Sequence, residues 1–311
     1  MAQISFFLLK IAKFVFMNNS GLIMLLTLHM VKKESMIKWL VATMCFGASF
    51  QVSAQYYFKD IVSNKQATKD ILNFKENKVR TIKIKSFEDD GLPSDGFFAE
   101  RRISKDYRKS EFFTRSNVSG KSMLTTIFDD KGNLLVSSDS SEIAATRTNY
   151  LYDEDGRIRK ITTSLRSSDD DFVNEILEEH IYLYEEEFLP VKMIRVKNKR
   201  DSITILFLHD ENNNISIEKD TKSGSKYYYY YDEKSRLTDI AHSNEFKQKM
   251  LSDYIFEYNT AGLLTQMTTT EEGGNDYYIW KYTYDNSMRS TERIFSKERK
   301  LLGRIEYEFG R

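Results

Sequence analysis

The sequence predicts an all-β protein, an antiparallel meander of repeated hairpins forming a curled or open twisted sheet, with a short N-terminal helix. Three observations carry this. An aromatic-x-aromatic-acid pattern recurs at near-constant spacing. Most copies are followed by Asp, Asn or Gly, which supply tight hairpin turns, and then by an apolar return segment. The intervals leave no room for crossover helices, so successive strands must pair antiparallel.

In chain order, residues 1–35 come first. They hold an apolar stretch, Ile4 to Val31, interrupted by Lys10, Lys13, Asn18 and Asn19 and followed by Lys32 and Lys33. Met30 and Met36 each stand directly before a workable export signal, so residues 1–35 read as a start-site artefact or leader, the alternative being a real N-terminal membrane segment. Residues 36–54 have a basic start, an apolar run from Trp39 to Phe50 and the small-residue ending Val52-Ser53-Ala54. This is the pattern of a secretory signal peptide, with cleavage expected after Ala54. The run is shorter than the ~20 residues a spanning helix needs. Cys45 follows Met44 rather than a small residue, which departs from a lipid-attachment pattern.

The 311-residue chain balances 46 Lys+Arg against 46 Asp+Glu. Cleavage removes five lysines and Glu34, leaving 41 basic and 45 acidic residues, a net charge of −4 on 257 residues without cysteine. Such a chain has no electrostatic reason to seek nucleic acid, and its stability must come from burial rather than disulfides. With 41% hydrophobic and 14% aromatic residues it is not a disordered chain.

Residues 55–124 are expected to form an N-terminal cap over the first sheet edge. Ala67, Ile71, Leu72 and Phe74 place a short helix within Asn64 to Asn77, and Val79, Ile82 and Ile84 alternate as a strand over Lys78 to Phe87. Phe87 to Leu92 (Phe-Glu-Asp-Asp-Gly-Leu) reads as a decayed repeat.

Residues 125–311 are the repeat region. The anchor acids or amides stand at 129, 153, 185, 210, 232, 259 and 285, separated by 24, 32, 25, 22, 27 and 26 residues. Two aromatics two positions apart share a strand face, as in Tyr150/Tyr152, Tyr182/Tyr184, Tyr229/Tyr231, Phe256/Tyr258 and Tyr282/Tyr284. That aromatic face is the expected core. An exposed patch of this size would aggregate, so the sheet must curl, close or be covered.

The motif Tyr-x-Tyr-Asp-x-x-Gly-Arg-Ile of Tyr150 to Ile158, echoed by Tyr229 to Leu237, resembles the YD repeats of RHS and wall-associated proteins. With the Ser-Ala-Gln signal ending, the chain resembles small exported YD-repeat proteins of Bacteroidetes. The resemblance covers residues ~125 to 290. It implies β-sheet shells that enclose a toxin, or extracellular adhesive structures. This chain departs from that pattern in having about seven imperfect copies and no domain after Phe309.

No constellation for catalysis stands out. His180, His209 and His242 lie in no motif, and His209 occupies a slot held by Tyr in other copies. No zinc spacing and no phosphate-cradling loop is present. Asp129-Asp130-Lys131-Gly132 and Asp153-Glu154-Asp155-Gly156 read as turn chemistry rather than calcium loops. Asp169-Asp170-Asp171 and Glu185-Glu186-Glu187 read as solvated loops, with weak calcium binding the alternative. No catalytic, cofactor-binding or metal residue is therefore assigned, and no cofactor is expected. The run Tyr227 to Tyr231 leaves Tyr228 and Tyr230 on the face opposite Tyr229 and Tyr231, a candidate ligand-stacking surface.

These observations point to an exported, non-enzymatic β-repeat protein of the periplasm, cell surface or extracellular space. It would act as a structural or binding module, with a glycan or protein partner, no nucleic acid and no integral membrane span. The alternatives are a hydrolase acting on envelope glycans and an accessory partner of a contact-dependent toxin system.

Overall fold

A computed structural model describes residues 55–117, 119–167, 175–185, 188–244, 249–270 and 276–311. The expected leader and signal segment, with Cys45, lies outside the described residues, as do Asp169 to Asp171, Glu186 and Glu187.

The chain enters as a π-helical segment, Tyr57–Val62, that runs directly into the α-helix α1, Ser63–Glu76. Among the described residues eighteen strands follow. They are β1 (Thr81–Glu88), β2 (Phe98–Ile103), β3 (Lys109–Ser116), β4 (Gly120–Phe128), β5 (Leu134–Ser141) and β6 (Ala144–Tyr152). Next come β7 (Ile158–Ser167), β8 (Ile176–Leu183), β9 (Lys192–Lys197), β10 (Asp201–His209), β11 (Ile215–Asp220) and β12 (Lys226–Tyr231). The last six are β13 (Leu237–Asn244), β14 (Lys249–Tyr258), β15 (Leu264–Thr270), β16 (Tyr277–Asp285), β17 (Met288–Ser296) and β18 (Leu301–Gly310).

Each strand pairs antiparallel with its sequence neighbours, and β1 also pairs with β18, Ile82 lying between Arg101 and Phe309. The meander therefore closes into an 18-stranded barrel. This corrects the expected curled or open sheet, because the first and last strands meet and no edge is left. Closure has a local cause. The ladder shifts register at Phe128, Tyr152, His209, Tyr231, Tyr258 and Tyr284, each the second aromatic position of a repeat. Bulges of this kind bend a strand and increase its twist, and repeated around a meander they coil the sheet toward closure.

The repeat motif builds these corners. Asp153 accepts the backbone N–H of Asp155 and of Arg157, and the Arg157 Nε, at 2.8–3.1 Å. Asp232 does the same for Lys234 and Arg236 at 2.7–2.9 Å. The residue three after the anchor takes a positive φ: Gly132 (88°), Gly156 (76°), Asn213 (60°), Ser235 (55°) and Gly262 (78°). Neighbouring repeats are then laced together. The hydroxyls of Tyr152, Tyr184, Tyr231, Tyr258 and Tyr284 donate to the carbonyls of Leu134, Ile158, Ile215, Leu237 and Leu264, where the preceding return strand begins, at 2.7–2.8 Å. Arg157 and Arg236 lie over the rings of Tyr184 and Tyr258, at 4.8 and 4.9 Å from their centroids. His209, in a tyrosine slot, brings Nε2 to 3.2 Å from the Pro190 carbonyl.

The decayed repeat at Phe87 to Leu92 is corrected in position. It closes the connection from β1 to β2, at the barrel end opposite the motif turns, which join even-numbered strands to odd-numbered ones. The helix expected over Asn64 to Asn77 begins one residue earlier and is extended backwards by the π-helical segment. It covers no edge. A barrel of 18 strands encloses a wide lumen, and here the helix occupies it. Tyr57, Asp60, Ile61, Asn64, Ala67 and Ile71, a stripe at helical spacing, are all buried. Phe58 packs on Tyr254 and Phe256 of β14, and Tyr57 meets Tyr229 of β12 edge-on with ring centroids 5.3 Å apart. At its other end Asn73 reaches the Ser287 carbonyl between β16 and β17.

Candidate functional site

Two places concentrate chemistry: the junction of helix and lumen wall, and the outer face of β9 to β13.

Inside, the helix start is held by the wall. Glu218 on β11 is 1% exposed and accepts the N–H of Tyr56 at 3.0 Å, the N–H of Tyr57 at 2.9 Å and the Tyr229 hydroxyl at 2.9 Å. A wall carboxylate thus takes the place of an N-cap for a helix whose own N-terminus lacks a side-chain cap. Burial pushes its carboxyl up from the usual 4.5 to about 7, against the pull of those three donors.

Three strands away stands His180 on β8. Its Nδ1 lies 2.5 Å from Asp60 of the π-helical segment and its Nε2 2.9 Å from Glu178. The Tyr182 hydroxyl donates to the same Asp60 oxygen at 2.6 Å. Burial alone would lower the imidazole, but the two carboxylates outweigh it and raise His180 to about 9. With a proton on both nitrogens, the ring bridges helix and wall as a cation. Arg195 of β9 donates to the Tyr56 hydroxyl at 2.6 Å, and the Gln55 amide donates to Asp253 of β14 at 2.9 Å. Further along the lumen Glu292 of β17, also 1% exposed, accepts Arg289 at 2.9 Å and the Tyr307 hydroxyl at 2.6 Å. The bonds from Gln55, Tyr56, Tyr57 and Asp60 fasten the helix start to the wall, while the Arg195 Nε and the Glu292 Oε2 stay buried without a hydrogen bond.

Sequence alone does not reveal this network: His180 lies in no motif, and the pairs are separated by 120 and 161–162 positions in the chain. The local sequence, Ile217-Glu218-Lys219, gives no signal that Glu218 faces inward.

One cavity of about 230 Å³ opens where α1 meets the motif turns, walled by Ile61, Tyr152, Tyr184, Leu189 and Pro190, with Lys65 at its rim over the Phe188 ring.

Outside, the structure puts Tyr228 and Tyr230 on the wall facing away from the lumen. Tyr230 is 45% exposed and Tyr228 half-buried, while Tyr229 and Tyr231 point inward to Glu218 and the Ile215 carbonyl. Tyr228 pairs across strands with Ile217 and Ala241, and Tyr230 with Asp239.

The class this geometry defines is a closed antiparallel β-barrel plugged by its own N-terminal helix. Among solved structures the chain is similar to a porin-like protein from Bacteroides uniformis ATCC 8492, at 9% identity and a TM-score of 0.34, over 75% of this chain and 98% of that one. A porin-like protein from Bacteroides vulgatus ATCC 8482 gives 13% identity and 0.29 over the same shares. A Tc holotoxin pore from Photorhabdus luminescens gives 12% and 0.26, over 65% of this chain and 16% of that one. Scores this low carry no function across. No family model and no curated protein matches the sequence, so the YD-repeat resemblance rests on the motif residues alone.

Proposed function

We propose that this chain is an exported, non-enzymatic β-barrel serving the cell envelope as a structural or binding module. The observation that carries the reading is the filled lumen: the wide interior of an 18-stranded barrel is occupied by the chain's own helix, locked by Glu218, Asp60 and His180. A plug held at its first turn by β8 and β11 disfavours a conducting pore and engages Asp60, Glu178 and the imidazole with one another.

The outer wall supports a barrel standing in water. Lys83, Glu100, Glu111, Arg147, Glu179, Lys281, Arg293 and Glu306 sit within strands on the side away from the lumen, none of them buried. On a lipid-facing barrel surface each Lys or Arg near the bilayer midplane would cost roughly 2–4 kcal/mol. Among the described residues no helix is long and apolar enough to cross a membrane. Export rests on the signal pattern of residues 36–54.

The test is intact mass and cell fractionation of the protein expressed from its own gene in its native host. The reading expects a species beginning at Gln55 in a soluble periplasmic or extracellular fraction. A full-length species in the cytoplasm or membrane fraction would overturn it.

A further inference from the structure

The outer face of β9 to β12 carries an arrangement that the fold does not need. Lys192, Leu206, Lys219 and Lys226 are cross-strand neighbours in one transverse row. Lys219 and Lys226 stand directly opposite each other, a like-charge pairing that destabilises a sheet. The ion pairs among the described residues give none of the three lysines a carboxylate, whereas Lys85, Lys109, Lys160 and Arg166 on the same outer wall each have one. The other like-charged row, Lys281, Arg293 and Arg304, is partly drawn off: Lys281 lies over Phe295, and Arg304 over Phe87 and beside Glu306.

The next row, two residues along, is apolar and aromatic. Leu208, 50% exposed, pairs with Ile217, and Ile217 with Tyr228. Tyr230 follows on the same face, paired with Asp239. Strand spacing makes the lysine row about 14 Å long and sets the rows about 7 Å apart.

We infer that this face binds an acidic glycan chain. The unpaired ammonium groups of Lys192, Lys219 and Lys226 would take its carboxylates, Tyr228 and Tyr230 would stack on sugar rings, and Asp239 would accept ring hydroxyls. A length of about 14 Å fits several sugar residues better than one. Asp239 beside the exposed ring offers an acceptor to the hydroxyls of a sugar polymer. The inference deepens the proposed binding module and depends on it.

The experiment titrates the full exported protein with polygalacturonate by calorimetry. Neutral dextran, phosphatidylglycerol vesicles and a single-stranded DNA oligomer are run in parallel. Binding to polygalacturonate and not to dextran is expected, weakening as salt rises. Lys219→Glu/Lys226→Glu should lower affinity at least tenfold, and Lys219→Gln/Lys226→Gln reads the loss of charge without reversal. Tyr228→Ala and Tyr230→Ala should each weaken binding roughly three- to tenfold, and Lys281→Glu should leave it unchanged, with melting temperatures confirming that each variant is folded. No heat with polygalacturonate, or equal binding by the lysine and Lys281 variants, would overturn the inference. So would binding confined to vesicles or DNA. A cytoplasmic location, or release of reducing ends from the glycan, would instead overturn the underlying reading while leaving the binding face intact.

Discussion

Replacing Glu218 by alanine tests whether a wall carboxylate caps the plug. The substitution strips the acceptor from two backbone N–H groups and the Tyr229 hydroxyl in a site 1% exposed to solvent. At pH 5 the carboxyl is neutral, and its removal leaves three buried donors unsatisfied at about 1–3 kcal/mol each; they share one partner and do not add, so about 4 kcal/mol is the scale. The wild type, however, carries a penalty of its own, because the Glu218 carboxyl is raised from 4.5 to about 7 in the folded state. A folded carboxyl that holds its proton more tightly contributes stability that is full below about pH 4.5 and lost as pH rises through 7. The whole displacement corresponds to roughly 3 kcal/mol. Glu218→Ala should therefore destabilise by about 4 kcal/mol at pH 5 and by only about 1–2 kcal/mol at pH 8. Urea denaturation followed by tyrosine and tryptophan fluorescence at the two pH values measures this, since other titrating groups cancel between wild type and variant. A loss below about 1 kcal/mol at pH 5, or a loss that grows toward pH 8, would refute the capping argument.

Three further outcomes follow from the same geometry. His180→Gln removes a cation held between Asp60 and Glu178. The raised imidazole contributes stability that is full below about pH 6.5 and lost as pH rises through about 9, so the variant should lose about 3 kcal/mol at pH 6 and much less at pH 10, read by thermal melts monitored by circular dichroism. Tyr258→Phe deletes only the hydroxyl that reaches the Leu237 carbonyl and should cost about 1 kcal/mol; Tyr258→Leu, which also removes the ring under Arg236, should cost measurably more in the same denaturation assay. Gly156→Ala isolates backbone strain, since φ is +76° and a Cβ there would meet nothing within 4 Å. A loss of about 1 kcal/mol is expected, against about 1–2 kcal/mol for Asp153→Ala, which removes the turn's acceptor.

The hairpins were legible because their causes are local. The pairing of Tyr150 with Tyr152, the anchor Asp153 and the left-handed Gly156 lie within seven residues, so strand face, turn and return strand follow from spacing alone. The same holds for the separation of Tyr228 and Tyr230 from Tyr229 and Tyr231, which alternation decides. The helix within Asn64 to Asn77 was visible from its apolar spacing, although its π-helical extension was not, because Tyr57 to Val62 is the stretch where the wall's Glu218 accepts the Tyr57 N–H and Asp60 meets His180.

By itself, then, the sequence determined the repeating unit: which residues turn, which face is aromatic and that neighbouring strands run antiparallel. Closure was decided elsewhere. Whether the strand at Thr81 to Glu88 meets the one at Leu301 to Gly310 depends on the coil summed over bulge after bulge, a quantity no single repeat contains. The placing of the helix was likewise tertiary. A segment that looked fit to cover an edge found none once the sheet had closed, and its apolar stripe went to the aromatic lumen. The functional groups there, Asp60, Glu178, His180 and Glu218, come together only through that docking, across separations of more than a hundred residues between helix and wall. Long-range burial set their partners and their proton affinities, and burial is a property of the folded whole.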